Sequence, residues 1–441
     1  MSRIPWSFVT DTAFHRVLNG SMRGRRIGVL SMHTSPLDQA GTGDSGGLNI
    51  YVRELAASMA LSGIDCDIYV RRTSREVPEI VELQSGVNVI QIEAGPFGLE
   101  KNDLPAVSDI WAEKVAESLG RRPVDALHAH YWLSAVVGHQ LKHKFDLPLA
   151  VTFHTLGKIK SIAGEHEPAE RIRSEDSVIG CADVVFASGN VEADQLTSLY
   201  DTPPNRIEIL TPGVDRSLFK PGSQKEARAL LGMDDRPVLL FVGRIQALKG
   251  LDVAIEALPL IQNSSAQLVA VGGLSGDKGA EVYSDLEARV TLYGLQSRVR
   301  FVEPQPHHLL PTYYQAADIC LVPSRSESFG LVALEAAACG TPVIASDVGG
   351  LKDNVLNGST GLLVNERDHK SFAGAVDKLL LQPELRRSMG QNGSQRAALH
   401  SWEMGAKTAI EAYGRLISRE LVFFACLVAL PPRSNCSRWS K

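Results

Sequence analysis

The sequence predicts an α/β protein built from two doubly wound parallel sheets in tandem, and three observations predict it. Apolar, β-branched runs alternate with amphipathic helical stretches almost from end to end, and the runs are continuous, as in strands covered on both faces. The alternation breaks once, at the turn-rich "GVDRSLFKPGSQ" beginning at Gly213. A chain of 441 residues, 44% apolar and 22% charged, suits two or three ordinary soluble domains.

Residues 1–24 lack a signal-peptide core, a small-residue cleavage pattern and strong periodicity. They predict a loose extension, with Met22, just ahead of the first strand, as the functional start. The first unit, 25–213, carries the strand runs "RIGVLSM", "IDCDIYVRR", "VNVIQIEAG", "VDALHAH", "LPLAVTFH", "ADVVFASG" and "RIEILTPG". Helical stretches such as "YVRELAASMALSG" and "DIWAEKVAESLG" lie between them. The second unit, 214–400, repeats the pattern with "PVLLFVGR", "AQLVAVGG", "RVRFVEP", "ADICLVPS" and "TPVIASDV". "SWEMGAKTAIEAYGRLIS", 401–418, predicts a helix crossing back to the first unit, and 419–441 a tail without a chemical role. The tail's apolar run, Leu421 to Leu430, is too short to span a bilayer.

A net charge of −5 gives no general reason to bind nucleic acid, so any anion must be held by a local arrangement. The six cysteines form no C-x-x-C pair and show no companion histidines at metal spacing, which predicts reduced, mostly buried thiols of a cytoplasmic protein. The His307-His308 pair predicts a surface loop, and no metal site is expected.

Ligands of such sheets lie beyond the carboxyl ends of the strands, and chemistry-bearing residues cluster there. In "FVGRIQALKGLD", Arg244 ends a strand and Lys249 opens the next helix, two cations able to clamp a diphosphate. In "SRSESFGLVALEAAACGTPVIASDVGG", Ser328, Phe329, Gly330 and Leu331 open a helix whose amides can meet phosphate oxygens. Glu327 precedes that helix, and Glu335 lies inside it amid small apolar residues, where an unpaired acid is rare. In the first unit, "HTSPLDQAGTGDSGGLNIYV", His33 to Val52, is a glycine-rich crossing from strand to helix. It carries no Walker lysine.

Together these residues resemble the retaining GT-B glycosyltransferases of the family 4 kind, whose E-x7-E signature Glu327 and Glu335 match. The resemblance implies two Rossmann-like domains facing a cleft and a nucleotide-sugar donor on the second. By that analogy Arg244 and Lys249 bind the diphosphate, Glu335 the ribose and Glu327 the transferred hexose. Ser328, Phe329, Gly330, Leu331 and Gly47 complete the donor site, and "VEPQPHH" meets the base. His154, Arg244, Lys249 and Glu327 form the catalytic group. No cofactor is required, and magnesium is not expected to be catalytic.

Within the family, the glycine-rich loop resembles the branch that begins mycothiol synthesis, moving N-acetylglucosamine from UDP to an inositol phosphate. That likeness implies UDP-N-acetylglucosamine as donor and 1D-myo-inositol 3-phosphate as acceptor. His33, Thr42, Asn49, Lys101, Tyr131, Thr155 and Arg171 are the acceptor residues it points to. Lys101, Tyr131, Thr155 and Arg171 would cradle the phosphate, and His33 and Asn49 the ring hydroxyls. The sequence departs from that branch at Gly157, Ile172 and Gln305, which keeps sucrose-phosphate synthase-like or other hexosyl transfer as the alternative. A non-catalytic nucleotide-sugar-binding protein or an epimerase fits less well. Small-molecule substrates, no transmembrane segment, a bacterial cytoplasmic setting and a homodimer complete the expectation.

Overall fold

The computed structural model describes residues 22–426 apart from 42, 44, 277, 278 and 366, with backbone alone from 419 onward. Two sheets carry the architecture. The first has eight strands: β1 (Arg26–Leu30), β2 (Asp65–Arg71), β3 (Ile80–Gln84), β4 (Val87–Ile92), β5 (Ala126–His130), β6 (Leu149–Thr152), β7 (Val184–Ala187) and β8 (Ile207–Ile209). Their spatial order is β3-β4-β2-β1-β5-β6-β7-β8, parallel except where β3 pairs antiparallel with β4. The second sheet is wholly parallel: β9 (Val238–Val242), β10 (Gln267–Val271), β11 (Val299–Val302), β12 (Ile319–Val322), β13 (Val343–Ser346) and β14 (Gly361–Val364), ordered β11-β10-β9-β12-β13-β14.

Two of these strands were not among the expected runs. β3 alternates exposed and half-buried residues along a sheet edge, and β14 is four residues behind a turn. Neither shows the continuous apolar run of a strand covered on both faces.

The register explains why chemistry gathers where it does. Strand order reverses between β1 and β5 in one sheet and between β9 and β12 in the other, so the chain leaving each pair diverges to opposite faces and opens a crevice. His33 follows β1, Tyr131 follows β5, Arg244 follows β9 and Glu327 follows β12. Each expected half-site therefore stands at a topological switch point.

The Trp402–Cys426 helix packs on the Gly47–Leu61 helix, its Trp402, Ala406, Ile410 and Tyr413 sharing one core with Tyr51, Leu55 and Ile68 of the first unit. Tyr413 also reaches through that core to hydrogen-bond His128 Nδ1 at 2.7 Å. The helix runs to Cys426, so the backbone past 418 is helical where a tail was expected. Residues 1–21 and 427–441 lie outside the described residues. No described helix is long and apolar enough to cross a membrane.

Candidate functional site

Four residues far apart in sequence meet beside β5 and β6. Tyr131 opens the helix after β5, and the Arg171 guanidinium lies 5.1 Å from its ring centroid, with the Lys101 ammonium 4.9 Å from the same ring. Arg171 donates to the Thr155 carbonyl at 2.9 Å, to the Thr155 hydroxyl at 3.1 Å and to the Tyr131 hydroxyl at 3.4 Å. Its remaining donors go to Glu175 at 2.8 Å and Glu167 at 2.7 Å. Burial opposes the guanidinium charge, but Tyr131, Glu175 and Glu167 outweigh it and raise its pKa. Glu167 in turn accepts from Lys160. Counting Lys101, Lys160 and Arg171 against Glu167 and Glu175, the nest carries one surplus positive charge, the sign a phosphate needs.

Gly157 backs this nest. Its amide donates to Glu175 at 2.8 Å, and a Cβ there would stand 3.1 Å from the Glu175 carboxylate and 3.4 Å from Arg171 Nε. A side chain at this position would therefore press on the Arg171–Glu175 pair.

His33 lies against Tyr131, ring centroids 4.3 Å apart, with its Nδ1 buried and unpartnered among the described residues. Burial pushes its pKa well below the usual value, reinforced by Lys101, His154, Arg244 and Arg171. Arg244 belongs to the opposite sheet, so both half-sites act electrostatically on one imidazole. His154, two residues beyond β6, has φ 61°, and Tyr131 has φ 72°. Left-handed backbone is uncommon for such residues and here sits at a site, where strain is held by surrounding structure. His130 Nδ1 and His154 Nε2 are 2.9 Å apart, and burial lowers His154 to about 3, keeping the ring neutral.

Across the cleft, Lys249 bonds Glu327 at 2.6 Å, and the Ser324 hydroxyl donates to the same carboxylate oxygen at 3.3 Å. Arg244 donates to Ser275 at 3.2 Å. The glycine-rich loop closes on this group. A Cβ on Gly46 would lie 3.3 Å from Arg244 Nε, and one on Gly47 3.2 Å from Leu331. Side chains at these two positions would hold the halves apart, the close approach that glycine permits.

Glu335 stands apart from that cluster, buried, with His307 Nε2 at 2.7 Å from one oxygen and the Tyr314 hydroxyl donating to the other at 2.8 Å. A cavity of about 440 Å³ opens beside it, lined by Asn49 and Arg53 from the first unit and His307, Leu331 and Glu335 from the second. Its carboxylate oxygens each keep a second lone pair for a further donor entering that cavity.

Several expectations need correction. His307 is not a loop residue turned to water: burial lowers its pKa, but the charge and hydrogen bond of Glu335 prevail and raise it. His308 is exposed as expected. Asn49 fastens the loop, its Nδ2 donating to the Ser35 carbonyl at 2.6 Å and its Oδ1 accepting from Gly46 N at 3.4 Å, and it also lines the cavity beside Glu335. The helix expected to open at Ser328 starts at Leu331, capped by Gly330. Ser328 bridges the units, its hydroxyl donating to the His154 carbonyl and its own carbonyl accepting from Ser188 at 3.1 Å, while Phe329 is buried. Thr42 lies outside the described residues. Cys66, Cys320 and Cys339 are buried as expected, but Cys181 is half-buried beside two histidines. His130 escaped notice, although the alternation in "HAH" places it on the same strand face as His128.

Comparison with known proteins comes to the same place as the geometry. Residues 46–213 match the Glycosyl transferase 4-like domain and 222–396 the Glycosyl transferases group 1 family. The chain is 42% identical over 416 residues to the D-inositol 3-phosphate glycosyltransferase of Actinosynnema mirum, covering 90% of this chain and all of that protein. It is 43% identical over 407 residues to the protein of the same name from Kribbella flavida, covering 88% and 95%. Sucrose-phosphate synthase from Thermosynechococcus elongatus superposes with a TM-score of 0.85 at 34% identity, covering 90% of this chain and 100% of that one. Anabaena HepE in complex with UDP-glucose, at 18% identity and a TM-score of 0.70, covers 90% and 99% and shares the fold.

Proposed function

The chain belongs to the group 1 glycosyl transferases, and from that premise we propose that it moves N-acetylglucosamine from UDP-N-acetylglucosamine to 1D-myo-inositol 3-phosphate with retention of configuration. The observation that carries the acceptor reading is the convergence of Lys101, Tyr131, Thr155 and Arg171 into one cationic nest. It is joined by His33, whose orphaned Nδ1 suits a polyol hydroxyl.

In this reading the uridine occupies the cavity beside Glu335, which takes the ribose hydroxyls. The diphosphate draws Lys249 away from Glu327 and joins it to Arg244, freeing Glu327 to accept from hexose hydroxyls. The acceptor hydroxyl forms its bond to the anomeric carbon on the face from which the bond to the diphosphate oxygen breaks. Its proton passes to that leaving oxygen, whose growing charge the two cations stabilise. The His154 carbonyl, bonded to Ser328, and the His130–His154 pair keep this face of the cleft in place. Closure excludes water that would otherwise compete as acceptor.

The likeness to sucrose-phosphate synthase supports one competing acceptor, fructose 6-phosphate, because a phosphate nest would serve either sugar. The test offers UDP-N-acetylglucosamine and UDP-glucose against inositol 3-phosphate and fructose 6-phosphate. The proposed pair should turn over, and NMR of the product should show the donor's anomeric configuration. Turnover with fructose 6-phosphate alone would overturn the acceptor, and an inverted product would overturn the same-face step.

A further inference from the structure

A second cluster lies on the outer side of the first unit, away from both half-sites. The Tyr131–Phe145 and Ala169–Cys181 helices pack together. His139 and His143 are four residues apart, one turn along the same helix face. Cys181 is the last residue of the neighbouring helix. His143 Nε2 lies 3.2 Å from Cys181 Sγ, the imidazole centroids are 4.9 Å apart, and the ligand-capable atoms of all three residues lie within 4.8 Å of one another. His139 Nε2 is buried with no hydrogen-bond partner. We propose that His139, His143 and Cys181 form a binding site for a borderline-soft divalent cation, Zn²⁺, with water as the fourth ligand.

Two imidazoles and a thiolate are a donor set that selects such a cation over magnesium or calcium. A nitrogen and a sulfur bound to one tetrahedral zinc sit roughly 3.5 Å apart, given bonds of about 2.0 and 2.3 Å, so the 3.2 Å contact needs little adjustment. Both helices end here, bringing the negative ends of two macrodipoles toward the site. The neighbouring cations are engaged: Lys142 pairs with Asp183, and Arg206 donates to the carbonyls of Ile179, Gly180 and Ala182. Those carbonyls are thereby occupied, which leaves the three side chains as ligands.

The cation would tie the end of the helix that starts at Tyr131 to the end of the helix that carries Arg171, bracing the scaffold behind the acceptor nest. The proposal does not depend on the identity of donor or acceptor. Its test is titration of the full chain with Co²⁺, followed by displacement with Zn²⁺, read by absorbance and by thermal unfolding. One equivalent of Co²⁺ should give a thiolate-to-cobalt charge-transfer band that Zn²⁺ abolishes, and Zn²⁺ should raise the Tm. Cys181→Ser should eliminate the band, cancel the Tm rise and weaken Zn²⁺ binding on the order of 100-fold or more, at least as much as losing an outer-shell partner costs. His139→Gln, with the thiol intact, should weaken binding in the same direction. Absence of the band in the wild-type chain would overturn the site, as would an unchanged band and affinity in Cys181→Ser.

Discussion

Arg171 and Lys249 are both cations at the carboxyl ends of parallel strands, yet they are held in opposite ways. The Arg171 side chain is 3% exposed, and its donors are spent on Glu167, Glu175, Tyr131 and Thr155. Lys249 is 25% exposed and shares one ion pair with Glu327. A buried, saturated guanidinium is fixed before any ligand arrives, whereas a half-exposed ammonium on a flexible stem can change partner. The Arg171 nest is therefore preorganised and the Lys249–Glu327 pair exchangeable, as would suit the proposed transfer, in which the leaving diphosphate is gripped more tightly as its charge grows.

Breaking the rigid side should cost most. Arg171→Ala takes the ion-pair partner from the buried Glu175, while Glu167 keeps Lys160, and should lower stability by about 3–5 kcal/mol, measured by urea unfolding. In the fraction that stays folded, acceptor KM should rise while UDP affinity holds. A variant as stable as wild type would show that the nest is not held by this residue.

The exchangeable side should fail in the opposite manner. Lys249→Ala should leave the unfolding midpoint nearly unchanged, since a part-exposed pair contributes little. It should lower kcat by roughly 100- to 1,000-fold, the effect of removing one donor to a developing oxyanion, and weaken UDP binding by calorimetry. Equal loss of UDP affinity in Lys249→Ala and Arg171→Ala would erase the division between the two sides.

Lys101 sharpens the comparison because it supplies charge to the nest without an ion pair among those described there. Lys101→Met should raise acceptor KM about tenfold or more, the loss of one charge-assisted contact, with stability within about 0.5 kcal/mol of wild type. A large stability loss with unchanged KM would make it a structural cation.

The smallest effect is in pH. His128 and His154 of the first unit are buried and lowered from 6.5 to about 3, so their contribution is present above 6.5 and lost as pH falls toward 3. His307 of the second unit is raised, so its contribution is full below 6.5 and lost as pH rises through the elevated value. Thermal unfolding of wild type and His307→Gln across pH should differ most below 6.5 and converge once pH has risen past the elevated value. Parallel curves throughout would show that the Glu335 pair does not depend on the proton.

The sequence by itself determined the two doubly wound sheets and the strand ends where chemistry collects. Continuous apolar runs and glycine-rich crossings are short-range patterns, legible within a dozen residues. It also carried Arg244, Lys249, Glu327 and Glu335, whose spacing lies within two local segments. The edge strand β3 was hidden because its half-exposed alternation resembles a polar loop. What only the tertiary structure decided was partnership: His307 with Glu335, His130 with His154, Asn49 with its own loop, and His139 and His143 with Cys181. Except for Asn49, each pair joins residues 24 to 42 positions apart, set side by side by strand order and helix packing. A hydrogen bond reaches only about 3 Å, so a residue's partner is chosen by packing that no local pattern encodes.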